Sequence, residues 1–535
     1  MAQEDFHKMV GYQIYPKSFK DSNGDGIGDI AGMIEKLDYL KDLGVDFLWI
    51  NPIYKSPQVD GGYDIADFYA IDEMFGTMED FKKFLKAAHA RGLKVLLDLV
   101  VNHTSNQHPW FIEAQKSRDN PYRDYYLWAD ATKDKLPNDW MSFFGVPAWT
   151  YQAKTKQAYF HVFAPEQPDL NWKNPKLREE IYKMIRWWLG DVGIDGFRLD
   201  AISHIQKAPW DFKIKSWKGN GPWQPFMNVE GIDDYMKELK AIFDEYAALT
   251  VGEASGVTSD KASRWTGDGG YVNMLFELEH NARKSNGNGQ GSIYGYKKVI
   301  MRWQKDMLED GWNALYVENH DQPRVIDTFG DGSLASAKAM AVSYMLLRGT
   351  PFIYQGQEIG MRNFPFTDIK QTDAAEIAIN YKKLLAEGLS KDEALAQVTQ
   401  NARDHSRTPM QWDDSKNAGF TTGKAWFVIN PNYPEVNVEK SGELIDLYKQ
   451  LIALRHQEKA ISDGGISFYF EKHRKLFAYQ RDEFLVLCNL GETRANLNFP
   501  DEMGDYEQVL GSKRRAFTTK MKFDPWEYQV FKIKK

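Results

Sequence analysis

Four acidic residues stand at or near the ends of short apolar runs in this chain, and Asp200, in the segment Gly196 to Ile202 (GFRLDAI), is the most telling. Its run reads as a buried strand, so Arg198, two residues earlier, shares its strand face. A guanidinium beside a carboxylate favours an ionised, oriented carboxylate at neutral pH, which is what a nucleophile needs. The pattern recurs at Asp98 (VLLDLVVNH, with Asn102 and His103), Glu253 (LTVGE) and Asp321 (LYVENHD, after His320). One acid after an apolar strand is ordinarily a cap for the next helix. Four along one chain predict convergence, because every strand of a parallel barrel ends on the same rim.

The elements that would position these acids can be read from periodicity. Strand-like runs fall near 11–15, 47–51, 95–99, 194–199, 249–253, 272–276, 314–317 and 351–354. Helix patterns lie between several of them. In 79–91, Phe81, Phe84, Leu85 and Ala88 form one stripe, Thr77 with Asp80 makes a capping box, and Gly92 is a stop. This alternation predicts an α/β fold, a (β/α)8 barrel. About 100 residues separate Asp98 from Asp200, where a strand-helix unit needs about 30. The expected division is a catalytic barrel over 1–103 and 172–458, an inserted subdomain over 104–171, and a C-terminal antiparallel β-sandwich over 459–535. A further insertion is expected at about 356–433, before the last barrel helix.

Composition narrows the function. With 43% hydrophobic residues the 535-residue chain can bury a large core. A net charge of -8 and the lack of any basic run point away from nucleic acid. Cys488 is the one cysteine, which excludes an intrachain disulfide. The first residues lack the apolar core of a signal peptide, and no 18-residue apolar run occurs, so a cytoplasmic protein without membrane contact is expected. The expected partner is a small, neutral molecule. The 17 Trp residues serve core packing first, though sugar faces also stack on such rings.

The segments DLVVNH, GFRLDAI, VGEA and ENHD, in that order on the third, fourth, fifth and seventh strands, resemble the signature regions of the alpha-amylase superfamily. QPDLNW, YQIYPKSF, GYDIADF and SRTPMQW narrow the resemblance to its oligo-1,6-glucosidase and alpha-glucosidase subfamily. The resemblance implies that Asp200 is the nucleophile, Glu253 the general acid/base and Asp321 the carboxylate that stabilises the transition state. Retaining glycoside hydrolysis needs one ionised carboxylate beneath the sugar and one protonated acid at the leaving oxygen. Glu253 is therefore expected to have a raised pKa, through partial burial and carboxylate neighbours. By the same resemblance His103 and His320 donate to sugar hydroxyls, and Asp98 supports Arg198 and the floor of the site. Asp60 and Arg403 would hold the terminal glucose, Tyr63 would stack on it, and Phe144, Phe163 and Gln167 would wall the pocket. Two departures stand out: DGGYD where DNGYD is usual, and RDHSR where RDNSR or RDNAR is usual, which puts Gly61 and His405 in question.

Asp21, Asn23, Asp25 and Asp29 offer hard oxygens at alternate positions around glycines, which suits calcium, although the closing acid of an EF-hand is replaced by Gly32. The resemblance adds the Ile27 carbonyl and implies a structural calcium remote from the catalytic centre. Ala201, directly after the nucleophile, resembles the residue of α-1,4-specific members, where α-1,6-specific members carry Val. The expected activity is thus exo-acting, retaining hydrolysis of terminal α-1,4-linked glucose from maltose and short maltooligosaccharides by a monomer or weak homo-oligomer. The alternatives are an oligo-1,6-glucosidase, or a transglucosidase or sucrose isomerase. The segment after His320, DQPRVIDTFGDG, lacks the Arg-rich cluster of the isomerases.

Overall fold

The computed structural model describes residues 6–214, 221–281 and 291–534. Eight parallel strands close into a barrel: β1 (Gly11–Ile14), β2 (Phe47–Ile50), β3 (Lys94–Val100), β4 (Gly196–Asp200), β5 (Leu249–Glu253), β6 (Met274–Phe276), β7 (Asn313–Leu315) and β8 (Thr350–Tyr354). Each strand pairs with its sequence neighbours, and β8 returns to β1. The bore is filled by Phe47, Trp49, Leu96, Val251, Met274, Phe276, Ala314, Tyr316 and Phe352, so it is a packed core and not a pore. Register sets the site. Asp98 lies opposite Arg198 across β3 and β4, and Arg198 lies opposite Val251 across β4 and β5.

The helix Met78–Ala90 carries the Thr77–Asp80 capping box and buries Phe81, Phe84, Leu85 and Ala88 against the sheet, as its periodicity requires. Between β3 and β4 a three-stranded antiparallel sheet (Trp128–Asp130, Gln157–Phe160, Trp149–Gln152) stands over the rim. It packs around Trp140, Trp149, Phe160 and Phe226. A bridge between His103 and Asp169 ties this subdomain to the end of β3. After β8 a helical hairpin, Ala375–Ala386 and Lys391–Thr399, leans on the same rim through a small core of Ala374, Ile377 and Ala402.

The chain ends in a five-stranded antiparallel sheet with a two-stranded ribbon, Ala495–Asn498 and Lys520–Phe523, packed over it. Leu476, Leu485, Leu487, Leu497, Phe523 and Phe531 fill the space between them. Cys488 is buried in this sheet, and burial pushes its thiol up, as suits an inert thiol. The barrel helix Leu334–Met345 (LASAKAMAVSYM) is buried on nearly all sides, because the barrel covers one face and this domain another. At its C-terminal end the buried Arg481 donates to the Leu346, Gly464 and Gly465 carbonyls. Arg455, also buried, donates to those of Met345, Leu347 and Gly349. Tyr479 reaches the Val342 and Ser343 carbonyls of the same helix. Among the described residues, no helix is long and apolar enough to cross a membrane.

Candidate active site

Strand register delivers three acids to one guanidinium. Arg198 Nη1 lies 2.7 Å from Asp98 Oδ1 and 2.5 Å from Asp200 Oδ1, and Nη2 lies 2.8 Å from Glu253 Oε2. Asp98 is further held by the Trp49 indole N–H at 2.9 Å and by the Tyr63 hydroxyl at 3.3 Å. It sits within β3, below the other two, and orients Arg198 from beneath.

The carboxyl pushed well above its ordinary value is that of Asp200: burial drives it up, Arg198 pulls against this, and Glu253 and Asp98 add to the rise. The Asp200 side chain is only 10% exposed. Asp200 and Glu253 thus face the same guanidinium, one on each terminal nitrogen. The backbone N–H of Ala201 donates to Glu253 Oε2 at 3.0 Å, and that backbone is left-handed, with φ 45°.

Asp321 lies beyond the end of β7. Desolvation inside the pocket opposes its charge, but His320, Arg407 and Arg403 outweigh this and hold the carboxyl well below the usual range. Gln13 Nε2 donates to His320 Nδ1 at 2.7 Å, which leaves the ring proton on Nε2, 3.0 Å from Asp321 Oδ2. Gln13 also donates to Asn51, and Asn51 to the Tyr63 hydroxyl, so a belt of buried polar side chains runs under the floor.

One end of the pocket is closed. Asp60 Oδ1 meets Arg403 Nη2 at 2.8 Å, and Asp60 Oδ2 accepts from Gln167 Nε2 at 3.1 Å. Burial opposes the charge on Asp60, and Arg403 and Arg407 restore it, leaving its carboxyl below the usual value. His103 Nε2 lies 3.1 Å from Gln167 and 3.0 Å from the Tyr63 carbonyl, and burial lowers its pKa, so the ring is neutral. Phe144 lies 5.5 Å from the Arg403 guanidinium, and Phe163 packs on Phe143 and edge-on to His103. The enclosed volume is about 360 Å³, within the range of small-molecule sites. A larger crevice, about 720 Å³, opens at the opposite end of the barrel around Trp312 and Arg348, and none of the sequence-predicted site residues lines it.

The structure thus gathers Asp60, Tyr63, His103, Phe144, Phe163, Asp200, Ala201, Glu253, Asp321 and Arg403 around one cavity. Asp98, Gln167, Arg198 and His320 stand directly behind. Sequence reasoning missed Phe143, His204, Ser255 and Glu376 in the wall, and Arg407 behind Asp321. Arg407 was within reach, since it is the Arg of SRTPMQW; Glu376 lies in a helix with no signature. The two departures are accommodated. A Cβ at Gly61, φ 58°, would come within 3.0 Å of the Tyr15 hydroxyl and 3.1 Å of Arg407, so glycine gives these two their room. His405 accepts from the Phe364 N–H and donates to the Thr399 carbonyl, and burial lowers its pKa to about 4, which makes it a neutral structural ring.

Asp21, Asn23, Asp25, Ile27 and Asp29 share one turn far from this pocket. Asp21 accepts from the backbone of Asn23, Gly24 and Gly26 and from the Thr421 hydroxyl, which holds its carboxyl low against the cost of desolvation. Asp25 accepts from Ile27 N at 2.8 Å, and Asp29 caps the next helix through Gly32 N at 2.6 Å. The donors are hard oxygens that suit calcium. Among the described residues, however, no three acidic or imidazole side chains converge as a ready cage; Asn23 and Asp25 would have to turn inward.

A closed parallel barrel with acids clustered on one guanidinium at its C-terminal rim has the layout of a barrel enzyme. The catalytic-domain profile of the alpha-amylase family matches residues 13–464, and the chain belongs to that family of glycoside hydrolases. It is 42% identical to the oligo-1,6-glucosidase of Parageobacillus thermoglucosidasius, over 98% of both chains. To the glucan 1,6-alpha-glucosidase of Streptococcus pneumoniae it is 40% identical, over 98% of this chain and 99% of the other. Among solved structures, the isomaltulose synthase of Protaminobacter rubrum superposes with a TM-score of 0.93 at 38% identity, over 99% of each chain. The two relatives named for 1,6 bonds overturn the α-1,4 expectation drawn from Ala201. The physical fault in that inference is plain: a small side chain removes a clash but adds no contact that selects a linkage.

Proposed function

We propose that the protein is an exo-acting, retaining α-glucosidase that removes terminal α-1,6-linked glucose from isomaltose and short isomaltooligosaccharides. The blind end made by Asp60, Arg403 and Gln167 carries this reading, because a pocket shut behind one glucose admits only a chain end. The relatives named for 1,6 bonds support the linkage. In this reaction Asp200 attacks the anomeric carbon while Glu253 gives its proton to the departing oxygen, forming a glucosyl ester and releasing the shortened sugar. Glu253 then takes a proton from water, which displaces Asp200 and regenerates both acids. Asp321 and His320 steady the charge that develops on the ring. Proton NMR of the first product tests this. The expected signal is α-glucose from isomaltose, with end-wise loss from longer chains; β-glucose, internal cleavage or preference for maltose overturns it. We also propose a structural calcium in the Asp21–Asp29 turn, supported by its set of oxygen donors.

A further inference from the structure

The catalytic pocket is not the end of the concave surface on this rim. A second hollow, of about 530 Å³, shares Asp321, Glu376 and Arg403 with it and continues between the helices Ala375–Ala386 and Lys391–Thr399. Exposure tells which end of the pocket it adjoins. Gln167 and His103 at the blind end are fully or almost fully buried, whereas the Asp321 side chain is 40% exposed and that of Glu376 24%. The hollow therefore adjoins the more exposed members of the pocket, and Arg403 joins the two, paired with Asp60 at the blind end and with Glu376 beside the hollow.

Its walls set polar side chains among the apolar Ile377, Leu384, Val398 and Ala402. Glu376, Asn380, Lys383 and Glu387 follow one another at spacings of four, three and four along the first helix, which places them on one face. Gln397 and Asn401 come from the second helix and its end. Solvated helix faces are commonly polar, but these two faces look at each other across a concave space that begins at the reacting centre. Among the described residues, the side chains of Asn380, Lys383, Gln397 and Asn401 form no hydrogen bond or ion pair with the rest of the protein. Amide and ammonium groups of this kind match the vicinal hydroxyls of a sugar, which both donate and accept.

We propose that this inter-helix groove binds the reducing-end part of a glucan substrate, so that Asn380, Lys383 and Gln397 set preference for chains of three or more glucose units. This inference rests on the exo-glucosidase reading for the direction in which the chain lies. The test compares kcat/KM on isomaltotetraose and isomaltose for the wild type, an Asn380→Ala/Lys383→Ala double variant and a Gln397→Ala variant. All three positions are exposed, so the fold should survive. The expected result is a fall of fivefold or more in the tetraose-to-isomaltose ratio in the double variant, a smaller fall in Gln397→Ala, and isomaltose turnover close to wild type in both. An unchanged ratio, or an equal loss on both sugars, overturns the proposal. Calorimetric binding of isomaltotetraose to an Asp200→Asn protein, with and without the double substitution, separates the two claims. Weaker tetraose binding on removing the two side chains supports the groove even if wild-type enzyme spares α-1,6 bonds, which would sink only the linkage reading. Equal binding sinks the groove.

Discussion

Two arginines in this molecule each gather three carboxylates, and they are built on different ground. Arg198 meets Asp98, Asp200 and Glu253, all delivered by neighbouring barrel strands whose register admits no slip without turning every side chain over. Arg403 meets Asp60, Asp321 and Glu376, from the loops after β2 and β7 and from the inserted helical hairpin. The chemistry of the two clusters is nearly the same; their scaffolds are not. The strand-borne cluster is a fixed part that any member of such a fold can use for one reaction. The loop-borne cluster gathers acids whose positions can drift independently, which is where substrate choice is adjustable.

The largest expected effect separates chemistry from framework. Asp200→Asn and Glu253→Gln should each lower kcat by about a thousandfold or more while leaving the circular dichroism spectrum unchanged, because each removes a charge or proton that the reaction requires. Near-normal turnover in either purified protein would remove the strand-borne cluster from the mechanism.

Replacing the arginines themselves should split the two clusters. Arg198→Met leaves buried acids without their cation, a loss of about 3 to 5 kcal/mol in stability, read as a large drop in the midpoint of urea unfolding. Arg403→Met should cost less stability, because Asp321 and Glu376 reach water and only Asp60 is left buried, with Arg407 still near it. It should instead lower kcat/KM by about 100-fold through loss of substrate positioning. Equal stability losses would erase the distinction drawn between strands and loops.

The pH dependence of stability should have opposite signs in the two clusters. Asp200 is held above its unfolded value, near 3.9, so between these values the native state binds more protons and stability falls as pH rises. Asp200→Asn should therefore melt higher than wild type at pH 7.5, the gap closing by about pH 4. Asp321 is held low, so its charge stabilises the fold above the unfolded value and that stability is lost as acidity approaches the depressed one. Asp321→Asn should melt lower at pH 7.5, with the gap shrinking only below about pH 4. Shifts of one sign in both variants would show that a common field governs the pocket.

The smallest effect concerns the Asp21–Asp29 turn, remote from both clusters. If calcium at 100 times its dissociation constant binds the native turn alone, stability rises by about 2.7 kcal/mol. The melting temperature should increase on adding calcium, and Asp21→Asn should abolish the increase with little change in kcat. No calcium-dependent shift in the wild type would dismiss the ion.

What the sequence made legible follows the same division. All eight barrel strands stand out as apolar runs, and Asp200 and Glu253 mark strand ends, while Asp98 lies inside its strand two residues before the end. Asp60 and Arg403 were found by resemblance, since nothing local connects residues so far apart. Glu376 escaped because the helix that carries it has a weak apolar stripe, and its partnership with Arg403 exists only in three dimensions. The rise of the Asp200 carboxyl comes first from burial, which spacing cannot reveal. Linkage preference was misread because it was inferred from the size of a single residue, Ala201, while discrimination between glucans rests on groups that touch the departing sugar.

The helix Leu334–Met345 has a further consequence. Its last carbonyls are satisfied by Arg455 from the final barrel helix and by Arg481 from the C-terminal sheet, and burial of these guanidiniums draws their pKa values down to about 9 and about 10. Cations at that end also answer the negative pole of the helix. The terminal domain is therefore a plug for an open socket in the barrel: removing it would strand a greasy helix in water and strip the Val342, Ser343 and Leu346 carbonyls of the donors it supplies. The two units should consequently melt as one cooperative body, and a barrel cut free at about residue 458 should be prone to aggregate.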